Sequence, residues 1–138
     1  MDKYLVLLII VVPFIAYTEY GSIRIDKLIS VYDGDTFRAD IDSYPPIIGK
    51  NIRIRIKDID APEISAQCEI EKKIAIKARD RAKKLLESAI VVELRNIERG
   101  NFFRLIADVY IDGINLGNLI LNEGLAIEYS SKSKDYWC

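Results

Sequence analysis

One long amphipathic segment interrupts a chain that is otherwise built from short alternating stretches. Residues 69–89, EIEKKIAIKARDRAKKLLESA, place Ile70, Ile74, Ala78, Ala82, Leu85 or Leu86 and Ala89 at three-to-four spacing, the period of a helix with one apolar stripe. The other face is basic from Lys72 to Lys84 and reads as a solvated helix surface rather than a nucleic-acid patch. On either side the period changes to two. Ile52, Ile54 and Ile56 alternate with Arg53, Arg55 and Lys57, so residues 51–58 predict a strand with one buried face.

Four more strands are predicted. Ser22–Val31 and Thr36–Ile41 flank the turn signal Asp33-Gly34-Asp35 and form a hairpin. Ile90–Leu94 and Arg104–Ile111 follow the helix. Leu116–Asn122 reads as a short helix closed by Gly124 at the position after its cap. Three strands, a helix, two strands and a short helix fit an α+β chain dominated by a small five-stranded barrel of the OB type, with the long helix inserted after the third strand.

The first residues differ in kind. Residues 4–17, YLVLLIIVVPFIAY, are apolar and uncharged, follow Lys3 and stop at Thr18-Glu19. The run is short for a membrane span and has the order of a secretory signal peptide. Residues 1–21 are therefore expected to be a signal peptide or an uncleaved N-terminal anchor, and 22–138 a single domain. That places the domain outside the cytoplasm, secreted or periplasmic, with the membrane as a partner only if the anchor is kept. Cys68 and Cys138 are the only cysteines, and in an exported chain they would pair; in a cytoplasmic one they would be free thiols.

The net charge is −1 and there is no histidine. A balanced charge excludes a protein held to nucleic acid by bulk attraction alone. The lack of histidine removes the commonest general base and zinc ligand, leaving carboxylates, arginines and a hard metal for any chemistry. Three segments hold the suggestive residues: VYDGDTFRAD (31–40), RIRIKDIDAPE (53–63) and NFFRLIADVYIDG (101–113). Asp33-Gly34-Asp35 does not continue as an EF-hand loop, because Arg38 and Tyr44 stand where that loop needs Gly and Glu. Taken alone, the triplet is a hairpin turn.

Together the three segments resemble the thermonuclease, or staphylococcal-nuclease-like, family. The resemblance rests on Asp33-Gly34-Asp35-Thr36; on Arg55 followed after four residues by Asp60-Ala61-Pro62-Glu63; on Arg104 leading the last strand; and on Asn122-Glu123-Gly124-Leu125-Ala126. The cysteine before the long helix and the terminal Trp137-Cys138 look like an exported bacterial branch. The resemblance implies a calcium-dependent nuclease acting on DNA and RNA as a monomer. It implies Ca2+ on Asp35, Asp60 and the main-chain carbonyl of Ala61, a water-activating carboxylate at Glu63, and phosphate-binding arginines at Arg55 and Arg104. It further implies in-line attack of water that leaves 3′-phosphate ends. The alternative is a non-catalytic OB module that binds nucleic acid or protein. Where the family commonly has Lys-Tyr-Gly before the second arginine, this chain has Asn101-Phe102-Phe103. Phe102 could stack on a base or pack at the rim.

One tension is internal to the motif. Arg55 and Asp60 are an odd number apart, so in a flat strand they would face opposite ways. Bringing them together requires the strand to end or turn sharply near Lys57-Asp58.

Overall fold

A computed structural model describes residues 20–130 and 136–138. The segment expected to be a signal peptide or anchor, residues 1–21, lies almost wholly outside the described residues. Among those that are described, no helix is long and apolar enough to cross a membrane.

The elements run β1 (Ile23–Arg24), β2 (Lys27–Val31), β3 (Thr36–Asp40), α1 (Pro46–Gly49), β4 (Ile52–Ile56), β5 (Ile59–Asp60), α2 (Glu69–Ser88), β6 (Val92–Gly100), β7 (Arg104–Ile111), β8 (Ile114–Asn115), α3 (Leu116–Asn122) and β9 (Ile127–Glu128). The main sheet has the order β1-β6-β7-β4-β3-β2, with β8 added to β7. Its two outer members are consecutive pieces of the one segment expected as the first strand. The chain bends at Ile25-Asp26, where Ile25 N–H donates to the Val92 carbonyl and Asp26 N–H to the Asp40 carbonyl. One bent strand thus serves both ends of the curled sheet, and the five expected strands occupy their OB-type places. The β4–β7 pairing is parallel and the other main pairings are antiparallel.

The core follows the alternation. In β4, Ile52, Ile54 and Ile56 are buried, while Arg53 and Arg55 face outward. In β7, Ala107, Val109 and Ile111 are buried, and Arg104 leads the outer row. Phe37, Ile41, Leu94, Ile97, Leu116 and Ile120 complete the interior. Each large side chain buried there contributes roughly 1.5–3 kcal/mol. At the end of α3, Gly124 N–H reaches the Leu121 carbonyl and Leu125 N–H the Ile120 carbonyl, with Gly124 at φ +72°. This is the Schellman arrangement expected from the glycine.

Three features differ from the sequence reading. The fourth strand does not stop at Leu94 but continues to Gly100, past a bulge at Asn96 (φ +51°). Residues 46–49, which lie between the second and third expected strands and carry no repeating pattern, make a single helical turn. On α2 the buried stripe is Glu71, Ala75, Ala78, Ala82 and Leu86, while Ile70 is 63% exposed. The stripe begins with a carboxylate because that carboxylate has a partner in the neighbouring loop, described below.

Four basic residues of α2 make surface pairs: Lys72 with Glu69, Arg79 with Asp80, Lys83 with Glu87, and Arg81 in a forked bond to Glu123 at the end of α3. That supports the solvated-face reading. α2 begins at Cys68, whose sulfur lies 3.4 Å from the Glu71 N–H and is bonded to Cys138.

Gly34 sits where three segments meet. A Cβ added there would fall 2.9 Å from both the Ala61 and the Ala78 Cβ atoms. The hairpin turn, the 60–63 loop and the middle of α2 therefore touch through their smallest side chains, and this contact fixes how deep the turn sits.

Two outcomes follow. Gly34→Ala should cost about 2 kcal/mol, the scale of overpacking a close contact, and adding Ala78→Gly should recover part of it; urea unfolding of the single and double variants measures both. Replacing Cys68 and Cys138 by serine removes a cross-link spanning 70 residues. The loss should be about 4 kcal/mol in the chain-entropy picture, again read by urea unfolding.

Candidate active site

The site is assembled at one end of the β2–β3 hairpin. Tyr32 N–H donates to the Thr36 carbonyl, which closes a turn over Asp33, Gly34 and Asp35. Asp33 Oδ1 accepts the Asp35 N–H at 3.0 Å, so the first aspartate shapes the loop that presents the second. Both carboxylates are buried, at 3% exposure each. The register of β3 on β4 sets Thr36 opposite Arg55. This brings the turn alongside the outward arginine of the next strand.

The strand then reverses as the odd spacing requires. β4 ends at Ile56, Asp58 takes a left-handed φ of +63°, and β5 restarts at Ile59. β5 pairs with β9, and Tyr129 N–H donates to the Asp58 carbonyl. The turn swings Asp60 back to the side of Arg55.

Arg55 lies between the two aspartates. Its Nη1 is 3.0 Å from Asp35 Oδ2, and its Nη2 is 3.3 Å from Asp60 Oδ1. Nη1 also donates to the carbonyls of Ile56 (3.2 Å) and Ile59 (2.9 Å). The guanidinium thus grips the β4–β5 turn and both carboxylates at once. Asp35 is further fixed by the Thr36 hydroxyl on Oδ1 (2.8 Å) and the Ala61 N–H on Oδ2 (2.7 Å).

Glu63 follows at the rim, with its side chain open to solvent but its backbone tethered. Its N–H donates to Glu71 Oε1 at 3.1 Å, from the first turn of α2. Glu71 is itself 8% exposed and lies against the Cys68–Cys138 disulfide. No motif pointed to Glu71, since its partner is a backbone N–H. A glutamate at the start of a helix has an ordinary explanation in the helix dipole. The only signal available was an acid on the side of α2 that carries the apolar stripe.

A cleft of about 560 Å³ is bordered by Asp33, Asp35, Arg55, Glu63 and Arg104. Arg104 enters from the β4–β7 side, its Cα paired with Arg53, and its Nε is buried without a partner. The cleft gathers side chains from the hairpin turn, β4, the 60–63 loop and β7. Asp60 reaches it through Arg55. Lys57 pairs with Glu98 on the outside, and Asp58 serves the turn, so neither belongs to the site.

The charge balance within this cluster is lopsided. Asp33, Asp35, Asp60, Glu63 and Glu71 supply five carboxyls, and one guanidinium touches two of them. Burial, with Asp35 beside it, pushes the Asp33 carboxyl up to about 8. Partial burial, then Asp35 and Asp60, raise Glu63 above the ordinary glutamate range, against an opposing pull from Arg55. Such crowding is relieved by a cation, and the donors on offer are all hard oxygens, the kind calcium takes. Asp60 engages one carboxylate oxygen in a single ion pair, which leaves most of its acceptor capacity for an ion. Among the described residues, the one trio of potential ligand side chains close enough to share an ion is Cys68, Glu71 and Cys138, but its sulfurs are joined to each other and do not form a metal site.

No curated protein matches the chain. The family profile described as SNase, staphylococcal nuclease homologue, matches residues 53–137, more than half of the chain. The match begins with β4 and takes in Arg55, Asp60, Glu63 and Arg104; Asp35 is joined to them by the ion pair with Arg55. An OB-type curled sheet with its long helix after the third main strand, together with that match, assigns the chain to the family of staphylococcal nuclease homologues, whose members are of the nuclease type.

Proposed function

We propose that this protein is an exported, calcium-dependent nuclease that hydrolyses phosphodiester bonds of DNA and RNA. The observation that carries the proposal is the Arg55 bridge between Asp35 and Asp60, next to Glu63 and Arg104 on one cleft. Asp35, Asp60 and the Ala61 carbonyl would hold Ca2+, which when bound supplies Lewis-acid stabilisation of the charge that builds on phosphorus.

The chain's own residues account for the remaining roles. Arg104 offers an unpartnered Nε–H, and the rest of its fork, to phosphate oxygens. Arg55 has committed Nη1 to the turn and to Asp35, and one side of Nη2 to Asp60, so its Nε–H and the second Nη2 hydrogen are the donors left for a substrate oxygen. Glu63 stands where it can accept a proton from a water molecule. That water attacks phosphorus in line with the P–O5′ bond; its oxygen joins phosphorus, its proton goes to Glu63, and the 5′-oxygen leaves and is protonated from solvent. The product strand ends in a 3′-phosphate. Arginine contacts, and the Ca2+ when bound, would act on phosphate and not on base edges, so little base specificity is expected at the reacting centre.

Export is supported by the Cys68–Cys138 disulfide, which persists in oxidising compartments outside the cytoplasm. The apolar run of residues 4–17 would direct it there.

Purified protein should degrade DNA with calcium present and not with chelator. Glu63→Gln should lower kcat at least about a hundredfold, the usual contribution of a positioned proton acceptor. An unchanged rate would refute the role given to Glu63, and inactivity of the wild type would favour a binding module. Glu71→Gln keeps an acceptor for the Glu63 N–H, whereas Glu71→Ala leaves that N–H unpaired. The expected result is near-normal kcat for glutamine and a loss of about tenfold for alanine, with a stability cost of about 1–3 kcal/mol. Equal rates in the two variants would remove Glu71 from the account.

A further inference from the structure

The outer face of the main sheet carries a row of like charges. Register sets Arg38 of β3 opposite Arg53 of β4, and Arg53 in turn opposite Arg104 of β7. Elsewhere in the described sheets, charged residues set opposite one another differ in sign: Arg24 faces Glu93, Lys27 faces Asp40 and Arg95 faces Asp108. Like charges directly across two strands oppose folding, and adjacent strands lie only about 5 Å apart. Two such pairs sharing one arginine depart from the rule that the rest of the sheet obeys.

No carboxylate answers them. Among the described residues, no ion pair reaches Arg38, Arg53 or Arg104, and Arg53 makes no hydrogen bond through its side chain. Arg38 Nη1 donates to the Asn51 carbonyl at 2.9 Å, which leaves most of its fork free. Arg104 Nε is buried without a partner. The row is closed at both ends by small residues. Ser30 stands beside Arg38, and Gly100 stands beside Arg104, where a Cβ would fall 2.8 Å from the arginine's Cγ. Arg38 and Arg53 border the same cleft as Asp35, Arg55 and Glu63, one step of the ladder farther from the turn than Arg55. Guanidinium forks in line, free of acids and leading away from a phosphate site, suit a ligand that repeats phosphates along one backbone.

We propose that Arg53 and Arg38 form a second phosphate subsite, which holds the backbone phosphate next to the one being cut. The inference deepens the nuclease reading and rests on it. It makes the preferred substrate a strand with at least two consecutive phosphates, and a dinucleotide with a single phosphate a poor one. Binding there is to backbone charge, so sequence goes unread.

The test is Arg53→Gln. The change relieves both like-charge pairs, so the melting temperature should be equal or higher. On short oligo(dT) KM should rise about tenfold with kcat unchanged, the scale of a lost hydrogen bond to a charged group. The slope of log KM against log salt should fall by about 0.7, the value for one phosphate contact to a single strand. On a thymidine dinucleotide with one phosphate, kcat/KM should not move. Lys84→Gln, which removes a charge from the exposed face of α2, should change neither substrate. A neutral methylphosphonate at one linkage adjoining the cut should weaken the wild type about tenfold and leave Arg53→Gln indifferent. An equal loss on the dinucleotide and the longer strand overturns the proposal, as do additive effects of methylphosphonate and variant. So does unchanged KM on oligo(dT) with weaker retention on heparin, which would make the row a sulfated-polysaccharide contact. If the wild type cleaves no strand, hydrolysis is the reading that fails. The subsite is then judged by fluorescence anisotropy of labelled oligo(dT), with about tenfold weaker binding expected for Arg53→Gln and equal binding contradicting it.

Discussion

The Arg55 guanidinium is the contact on which the site depends. It joins a carboxylate from the hairpin turn, a carboxylate from the short strand after β4 and two carbonyls of the intervening reversal. Without it, Asp35 and Asp60 would be like charges brought together near the protein interior with only dipoles to oppose them. A side chain in that place must be charged, planar and able to donate in several directions, which lysine is not. The same arginine also holds the turn at Asp58, so it shapes the backbone that delivers Asp60.

The barrel makes this convergence possible. A bent first strand serves both ends of the sheet, and its hairpin with β3 carries the Asp33–Asp35 turn to the top of β4. α2 then packs under the turn. The three-way contact of Gly34, Ala61 and Ala78 leaves no room for larger groups, and Glu71 from the same helix holds the backbone at Glu63. The disulfide fastens the chain's last residue to the cap of that helix. Core packing, helix placement and the orientation of Glu63 are therefore linked through α2.

Much of this was legible in the sequence, for physical reasons. The IRIRI alternation has one solution, with isoleucines in and arginines out, and the odd spacing of Arg55 and Asp60 demanded the reversal found at Asp58. The long helix and the glycine after α3 were equally plain. What escaped notice lacked a period or a charge signal. β5 and β9 have two residues each, too few to alternate, and α1 is one turn set by Pro45-Pro46. The outer half of β6 is charged on its solvent face, so the expected strand stopped at Leu94. Ile70 looked like core and Glu71 like surface, because the stripe was judged by hydropathy while the structure turns on a buried acceptor for the Glu63 N–H. Phe102 and Phe103, between β6 and β7, were visible, but their left-handed backbone was not.

On the proposed reading, Asp35 and Asp60 would share one divalent cation within a cluster that has more carboxyls than it can comfortably neutralise. Calorimetric titration of the purified protein with Ca2+ tests it without reference to catalysis. One weak site per chain is expected, lost in both Asp35→Asn and Asp60→Asn while each variant remains folded by circular dichroism. Calcium binding unaffected by both substitutions, or no binding to the wild type at all, would contradict it.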